Sequence, residues 1–360
     1  MSTQFHPLII KNIIKETSDC VSVVLALPEG ADQTKWNFSE GQYLTFKKDI
    51  NGEELRRSYS ICAAPYEQKL KVAIKKVEGG KFSTYANEHL NIGDILDTMP
   101  PMGKFNARLS KNNHAHYLAI AAGSGITPVI SIIKHTLKNQ SDSKFTLVYG
   151  NKNRNTIIFF EELEQLKNQY MGRFNFINVL SQEATDADIF HGRIQKEKLQ
   201  SLSKIIGYAQ LDAAYLCGPE SMINDCTEFL VSTGLSASSI HVELFAASGT
   251  GKLAHNNTLV SATEGDLVSH VHINLDGRTF QFELGYNDKT VLDAALKQGA
   301  DLPFACKGGV CCTCRAKLIE GKVRMDVNYS LEPEEIEQGF ILTCQSHPIT
   351  EKIVVDFDVR

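Results

Sequence analysis

Long hydrophobic runs are missing from this sequence. The most apolar stretch, "HYLAIAAGSGITPVISII" from His116 to Ile133, is broken by two glycines and a proline. It reads as strand, loop and helix start rather than as a membrane span. Met1 to Leu8 contain no basic region leading into an apolar run, which argues against a secretion leader. Positive charge is scarce as well: 37 Lys and Arg face 42 Asp and Glu, for a formal charge of −5. A nucleic-acid partner is therefore not expected. The cysteine count is odd, at nine, which argues against a disulfide framework and for reduced thiols in the cytoplasm. What is present is ordinary for a globular chain, with 42% hydrophobic and 22% charged residues. The 360 residues leave room for two or three separate cores. The acidic excess is uneven: from Ser269 onward ten Lys and Arg stand against fourteen Asp and Glu. Such a segment suits a partner with a basic docking face, and it equally suits simple solubility.

The pattern of elements divides the chain. Residues 1–110 are strand-rich, with "VSVVLALP", "GQYLTFKKD", "RRSYSICAAP" and "KLKVAIKKVEGG" separated by turn residues, as in a small antiparallel β-barrel. Over 111–245 strands alternate with amphipathic helices: "YLAIAAG" precedes a helix from Thr127, "FTLVYG" precedes "FFEELEQLKNQ", and "AAYLCG" precedes "ESMINDCTEFLVSTG". This α/β repetition predicts a Rossmann-like parallel sheet that binds ligands at the C-terminal ends of its strands. Residues 246–268 are rich in Ser, Thr, Gly, Asn and Ala and read as a linker. The last segment, 269–360, opens with two alternating runs joined by Asp276-Gly277, a strong hairpin signal.

That last segment contains "CKGGVCCTC". Cys306, Cys311 and Cys314 are spaced C-x4-C-x2-C, and Cys344 follows in "LTCQSHP". This is the plant-type ferredoxin spacing for a [2Fe–2S] cluster. Two irons need two thiolates each, and one loop can supply three by wrapping tightly. Gly308 and Gly309 permit the wrap and let backbone N–H groups approach the sulfurs. Zinc is the alternative, because Cys311-x2-Cys314 is also a zinc-knuckle spacing, although no second C-x2-C or His pair accompanies it. Cys312 falls outside the pattern and reads as a non-ligand. The histidines of "HAH" and "HVH" read as surface and strand residues.

A [2Fe–2S] cluster carries one electron at a time, whereas nicotinamide gives up a two-electron hydride. Flavin is the usual converter, so flavin and nicotinamide sites are expected upstream. "RRSYS" resembles the Arg-x-Tyr-Ser flavin motif of the ferredoxin–NADP reductase superfamily. The resemblance implies that Arg57 pairs with the FAD pyrophosphate, Tyr59 stacks on the flavin ring and Ser60 bonds near its N5, with Ser58 among the flavin-binding residues. "VAIKKVEGGKFSTY" resembles the family's second flavin segment. Ile74 and Lys75 would then lie beside the adenosine part, and Gly80, Lys81, Phe82, Ser83 and Thr84 at the pyrophosphate. "AAGSGITP" matches the family's G-x-G-x-[TA]-P through Gly123, Gly125, Thr127 and Pro128, with Ser124 between the glycines. Small residues there let a dinucleotide reach the backbone at a helix N-terminus. "CGPESM" matches the Cys-Gly-Pro element, which implies that Cys217, Gly218 and Pro219 border the nicotinamide. "HVELF" matches the end of the reductase unit, with Glu243 steering hydride geometry and Phe245 covering the flavin. Ser60, Cys217 and Glu243 are thus the expected catalytic set.

The nucleotide preference is less marked. After "LVYG" comes "NKNRN", with no acidic residue for a ribose 2′-OH, while Lys152 and Arg154 could meet a 2′-phosphate. Where plant-type relatives carry Ser-Arg, this chain has Ser181-Gln182. The expectation is NADPH, with NADH open. A reductase followed by a β-grasp ferredoxin domain resembles the electron-transfer subunits of multicomponent oxygenases. "FSEGQYLTF", "HGRI" and "CKGGVCCTCRAKLIEGKV" most resemble those serving di-iron enzymes that epoxidise phenylacetyl-CoA. The resemblance implies di-iron oxygenase subunits as partners. Reductases of ring-hydroxylating dioxygenases or of steroid or alkane hydroxylases, and a cluster-based redox sensor, are the alternatives.

Overall fold

The computed structural model describes residues 4–106, 114–245 and 267–359. The proposed linker lies largely outside the described residues. The chain forms two compact units, Met1–Gly249 and Thr250–Arg360.

In the first unit, six strands make an antiparallel sheet: β1 (His6–Thr17), β2 (Cys20–Ala26), β3 (Tyr43–Ile50), β4 (Glu53–Ser60), β5 (Leu70–Lys75) and β6 (Ile95–Thr98). Their order is β4-β3-β6-β1-β2-β5. An isolated bridge from Ile61 to Val72 joins the two edges, which closes the sheet into a barrel and removes its open edges. Between β5 and β6 lies a helix the periodicity does not announce, α1 (Lys81–Glu88).

The second layer of this unit is a parallel sheet of β7 (His116–Ala122), β8 (Lys144–Asn151), β9 (Phe174–Leu180), β10 (Ala213–Gly218) and β11 (Ile240–Leu244). Its helices are α2 (Ile126–Asn139), α3 (Phe160–Gln169), α4 (Lys196–Leu202) and α5 (Glu220–Ser232). The order β11-β10-β7-β8-β9 reverses between β7 and β10, and such a reversal opens a crevice at the C-terminal strand ends. Both the Gly123–Gly125 loop and the Cys217–Gly218 strand end sit there. β7 is buried because its Leu118, Ala119, Ile120 and Ala121 are apolar on both faces, as a central parallel strand requires. The core is continuous with the barrel: Cys20, Cys62 and Ala73 pack in one cluster with Tyr117, Ile130 and Tyr215.

The second unit is built on the hairpin β12 (Val268–Leu275) and β13 (Arg278–Gly285), followed by α6 (Val291–Lys297), β14 (Arg315–Glu320), β15 (Val323–Met325), α7 (Pro333–Glu337), β16 (Phe340–Leu342), β17 (Ser346–Pro348) and β18 (Lys352–Asp356). The hairpin turn has φ of 49° at Asp276 and 72° at Gly277, the left-handed pair that matches strand twist. The main sheet runs β13-β12-β18-β14-β16, with β12 and β18 parallel at its centre. Val271, Ile273, Val291, Leu292, Ala316, Ile353 and Val355 fill its core.

Candidate electron-transfer site

The flavin-motif residues end β4. Pairing of β4 with β3 sets Leu44 opposite Tyr59 and Phe46 opposite Arg57. Tyr59 lies with its ring centroid 5.9 Å from Phe46 and 5.7 Å from Phe82. Phe46 and Phe82 are within 8° of parallel. The three rings form a shelf of which Tyr59 is the half-buried member, and burial pushes its phenol up, with Arg57 opposing. Such a shelf suits a planar aromatic ligand. The Arg57 Nη1 donates to the Arg56 carbonyl at 2.7 Å, and Ser58 Oγ lies 2.9 Å from Thr45 Oγ1.

Gly80 precedes α1 in a tight turn. A Cβ there would lie 2.5 Å from Ser83 Oγ and 3.1 Å from the Val77 carbonyl. The Ser83 hydroxyl donates to Gly80 O and accepts from Val77 N, so the turn itself uses the hydroxyl expected at the pyrophosphate. Lys81 pairs with Glu53, Phe82 is buried, and Thr84 is half-buried on the first turn. Ile74 is fully buried on β5, while Lys75 Nζ lies 3.6 Å from Asp19 Oδ2.

Three residues distant in sequence meet where the barrel faces the crevice. Ser60 Oγ donates to Glu243 Oε2 at 3.4 Å. Glu243 is paired in register with Cys217 across β11 and β10, and Cys217 with Ala121 of β7. Burial pushes the Glu243 carboxyl up to about 8, and the bond from Ser60 works the other way. Burial, then the Glu243 charge, pushes the Cys217 thiol well up, so it stands as a neutral thiol. The glycines beside it are constrained. A Cβ on Gly125 would come within 2.2 Å of the Cys217 carbonyl oxygen, and one on Gly218 within 2.6 Å of Met222 Cε. Gly123 has a φ of 54°, and its carbonyl accepts from the Tyr149 hydroxyl at 2.8 Å. Thr127 Oγ1 donates to the Ser124 carbonyl at 3.0 Å, and Pro128 is buried in the first turn of α2. Pro219 immediately precedes α5, and Phe245 N donates to the Gly218 carbonyl at 3.2 Å. The cradle is narrow and lined by backbone, which fits a dinucleotide passing the N-terminus of α2.

At the far end of the crevice, Arg154 Cζ stands 4.9 Å from the Phe160 ring centroid. Ser181 Oγ donates to the Asn151 carbonyl at 3.3 Å, and Gln182 N donates to the Lys152 carbonyl. One residue escaped the sequence reading: Glu183, whose Oε2 accepts from Arg154 N at 2.7 Å. An acidic group does reach this corner, from the segment after β9 rather than from the one after β8.

In the second unit the four cysteines stand as two pairs. Cys306 is hydrogen-bonded to Cys311, and Cys314 to Cys344. Among the described residues no three His, Cys, Asp or Glu donors gather around a point that would hold one ion. A two-iron cluster needs two thiolates per iron, and four cysteines standing as two pairs fit that donor set. The Cys311 thiol, then the N–H groups of Gly308, Val310 and Cys311, hold the Cys306 thiol down to about 6. Gly308 N lies 3.3 Å from Cys306 Sγ. The wrap differs in detail from expectation. Gly309 is left-handed at φ 74°, but the other left-handed residues are Lys307 and Cys312, not Gly308. Cys312 directs its thiol to the Ser330 carbonyl at 3.2 Å.

This fold and site define a class, the oxidoreductases that join a flavin lobe, a nicotinamide lobe and an iron–sulfur domain. Residues 7–107 match the oxidoreductase FAD-binding domain, 119–228 the oxidoreductase NAD-binding domain, and 273–348 the 2Fe-2S iron-sulfur cluster binding domain. The chain is 44% identical over 359 residues to a component of the 1,2-phenylacetyl-CoA epoxidase of Escherichia coli (strain K12), covering 99% of each chain. It is 30% identical to the ferredoxin reductase component of 3-ketosteroid-9-alpha-monooxygenase from Rhodococcus rhodochrous, over 97% of this chain and 96% of that one. Its fold matches phthalate dioxygenase reductase with a TM-score of 0.59 at 22% identity, covering 98% of both chains. The chain belongs to the family of oxygenase reductase components that contain FAD-binding, NAD-binding and 2Fe-2S domains.

Proposed function

We propose that the chain passes electrons from NADPH to the di-iron oxygenase of a complex that epoxidises the ring of phenylacetyl-CoA. The observation that carries this reading is the 44% identity across 99% of both chains, which leaves no domain of either outside the likeness. When bound, FAD takes up a hydride's two electrons and the [2Fe–2S] cluster releases them singly, which is the conversion such an oxygenase requires.

The chain's own residues do the rest. Tyr59 lays its ring against the flavin, Arg57 and Ser58 face the pyrophosphate, and Ile74 and Lys75 border the adenosine. Gly80, Lys81, Phe82, Ser83 and Thr84 hold the pyrophosphate at the start of α1, Ser83 through its N–H. Gly123, Ser124 and Gly125 admit the nicotinamide nucleotide, with Thr127 and Pro128 shaping the first turn of α2. Cys217, Gly218 and Pro219 border the nicotinamide, Ser60 and Glu243 orient the hydride path, and Phe245 covers the flavin. Arg154 and Ser181 meet the adenosine end of the nucleotide, and Glu183 beside Arg154 tempers the preference for a 2′-phosphate. Cys306 and Cys311 hold one iron, Cys314 and Cys344 the other. Cytoplasmic residence belongs to the proposal: all nine cysteines are free, and among the described residues no helix is long and apolar enough to cross a membrane.

Purified protein, mixed with the oxygenase subunits of a phenylacetyl-CoA epoxidase, NADPH, O2 and phenylacetyl-CoA, should give the ring epoxide. No product, with cytochrome c still reduced by NADPH, would move the protein to another oxygenase, such as a steroid hydroxylase. Loss of both in fully loaded protein would favour the redox sensor.

A further inference from the structure

Helix α2 begins at the glycine loop of the nicotinamide lobe, and its next turns face the barrel. Three of its residues bind barrel groups there. Ser131, fully buried, donates to the Ala63 carbonyl at 2.6 Å. Lys134, 4% exposed, donates to Glu67 Oε2 at 3.1 Å and to the Cys62 carbonyl at 3.5 Å, and pairs with Glu162 of α3. His135 Nδ1 lies 3.6 Å from Glu40 Oε2. Lys71 of β5 extends the network, 3.4 Å from Glu16 and 3.6 Å from Glu162. Its Nζ stands 4.7 Å from the centroid of Phe159, a residue at the start of α3 with φ 62°. A left-handed phenylalanine persists where its surroundings over-determine it.

The groups held by Ser131 and Lys134 on the barrel side lie just beyond the flavin-motif strand. Ala63 is three residues beyond Ser60, and the segment is itself stiff: Cys62 N donates to Lys71 O at 2.9 Å, and Ala64 N to Glu67 Oε2. One end of α2 therefore carries the nicotinamide loop, and its barrel-facing side grips the continuation of the Tyr59-Ser60 strand. A buried lysine among carboxylates is costly unless its geometry is well satisfied. Here Glu162 and Glu67 raise the lysine above its ordinary value against the opposing effect of burial.

We propose that Lys134, with Glu67 and Glu162, is a positioning residue that locks the two lobes at the separation hydride transfer requires. The proposal rests on the reading of this unit as a nicotinamide–flavin reductase. Hydride transfer needs its reacting atoms about 3–3.5 Å apart, and a misplacement of about 1 Å can cost about 10²-fold in rate. Lys134 touches neither ligand and acts through the fit of the lobes.

The test uses the holoprotein with FAD and cluster loaded, mixed rapidly with NADPH. Lys134→Met should slow flavin bleaching at least about tenfold, with NADPH affinity and flavin content retained, and Lys134→Arg should restore most of the rate. A Met variant that bleaches within about twofold of wild type per bound flavin, whatever its melting temperature, would overturn the proposal. If Lys134→Met fails to fold, Ser131→Ala and Glu67→Gln each remove one tie. Both should show slowed bleaching, and wild-type rates in both would be equally fatal. A wild-type protein whose flavin NADPH cannot reduce would instead sink the functional reading on which the proposal stands.

Discussion

Glu243 sits where a carboxyl is hardest to ionise. Its folded value is about 8, against about 4.3 for an unperturbed glutamate. Between those values the unfolded chain gives up the proton while the folded chain keeps it. Stability contributed by this group is therefore present below about pH 4.3 and is lost progressively as pH rises to about 8. Glu243→Gln removes the titration and keeps the shape. The melting temperature of the wild-type protein should thus fall relative to the Gln variant between about pH 5 and pH 8. Parallel curves would show that the carboxyl is already ionised at neutral pH. In its protonated form this carboxyl still accepts the Ser60 hydroxyl.

Among the elements, alternation and turn chemistry made the β12–β13 hairpin readable, because Asp276 and Gly277 demand a left-handed turn that few other contexts offer. Alternating strands and amphipathic helices likewise announced the order of the nicotinamide lobe. β1 was less readable, because irregular register between Ile10 and Asn12 breaks its period. β6 has four residues, too few for a period, and α1 is a short helix hidden behind two glycines. At the proposed cluster, spacing pointed to four candidate ligands but not to the path of the loop. Which residue turns left-handed depends on what the loop packs against, and Gly309 does so against Val327. The pairing of Cys306 with Cys311 gives a consequence at this scale. On the proposed ligation, Cys306→Ser should weaken the hold on one iron and leave the first unit untouched. NADPH-dependent ferricyanide reduction should stay near wild type, while cytochrome c reduction falls at least about tenfold, the low end of what changes around a metal's ligands cost. Equal loss of both activities would mean that the two units do not divide the work.

At the scale of the whole chain, the site joins residues that sequence order keeps apart. Ser60 and Glu243 are 183 positions distant and share a hydrogen bond. Family motifs could point to each, but no periodicity could bring them together, and the same is true of the Phe46 ring beside Tyr59. Glu183 and Lys134 escaped for a related reason: each reads as an ordinary surface charge until the packing of strands and lobes is known. Charge distribution, in contrast, needs no fold to be read, and it bears on the partner. The C-terminal segment holds fourteen acidic against ten basic residues, with Glu332, Glu334 and Glu337 exposed around α7. Long-range attraction between such a surface and a basic oxygenase face raises the encounter rate, and salt screens it over about 10 Å at 0.1 M. Electron delivery to the oxygenase should therefore slow severalfold as ionic strength rises from about 0.01 to 0.3 M. Flavin reduction, followed separately by rapid mixing at saturating NADPH, should change far less, because it does not depend on encounter with the oxygenase. A coupled rate that stays flat while salt increases would assign the acidic surface to solubility and leave docking to apolar contacts.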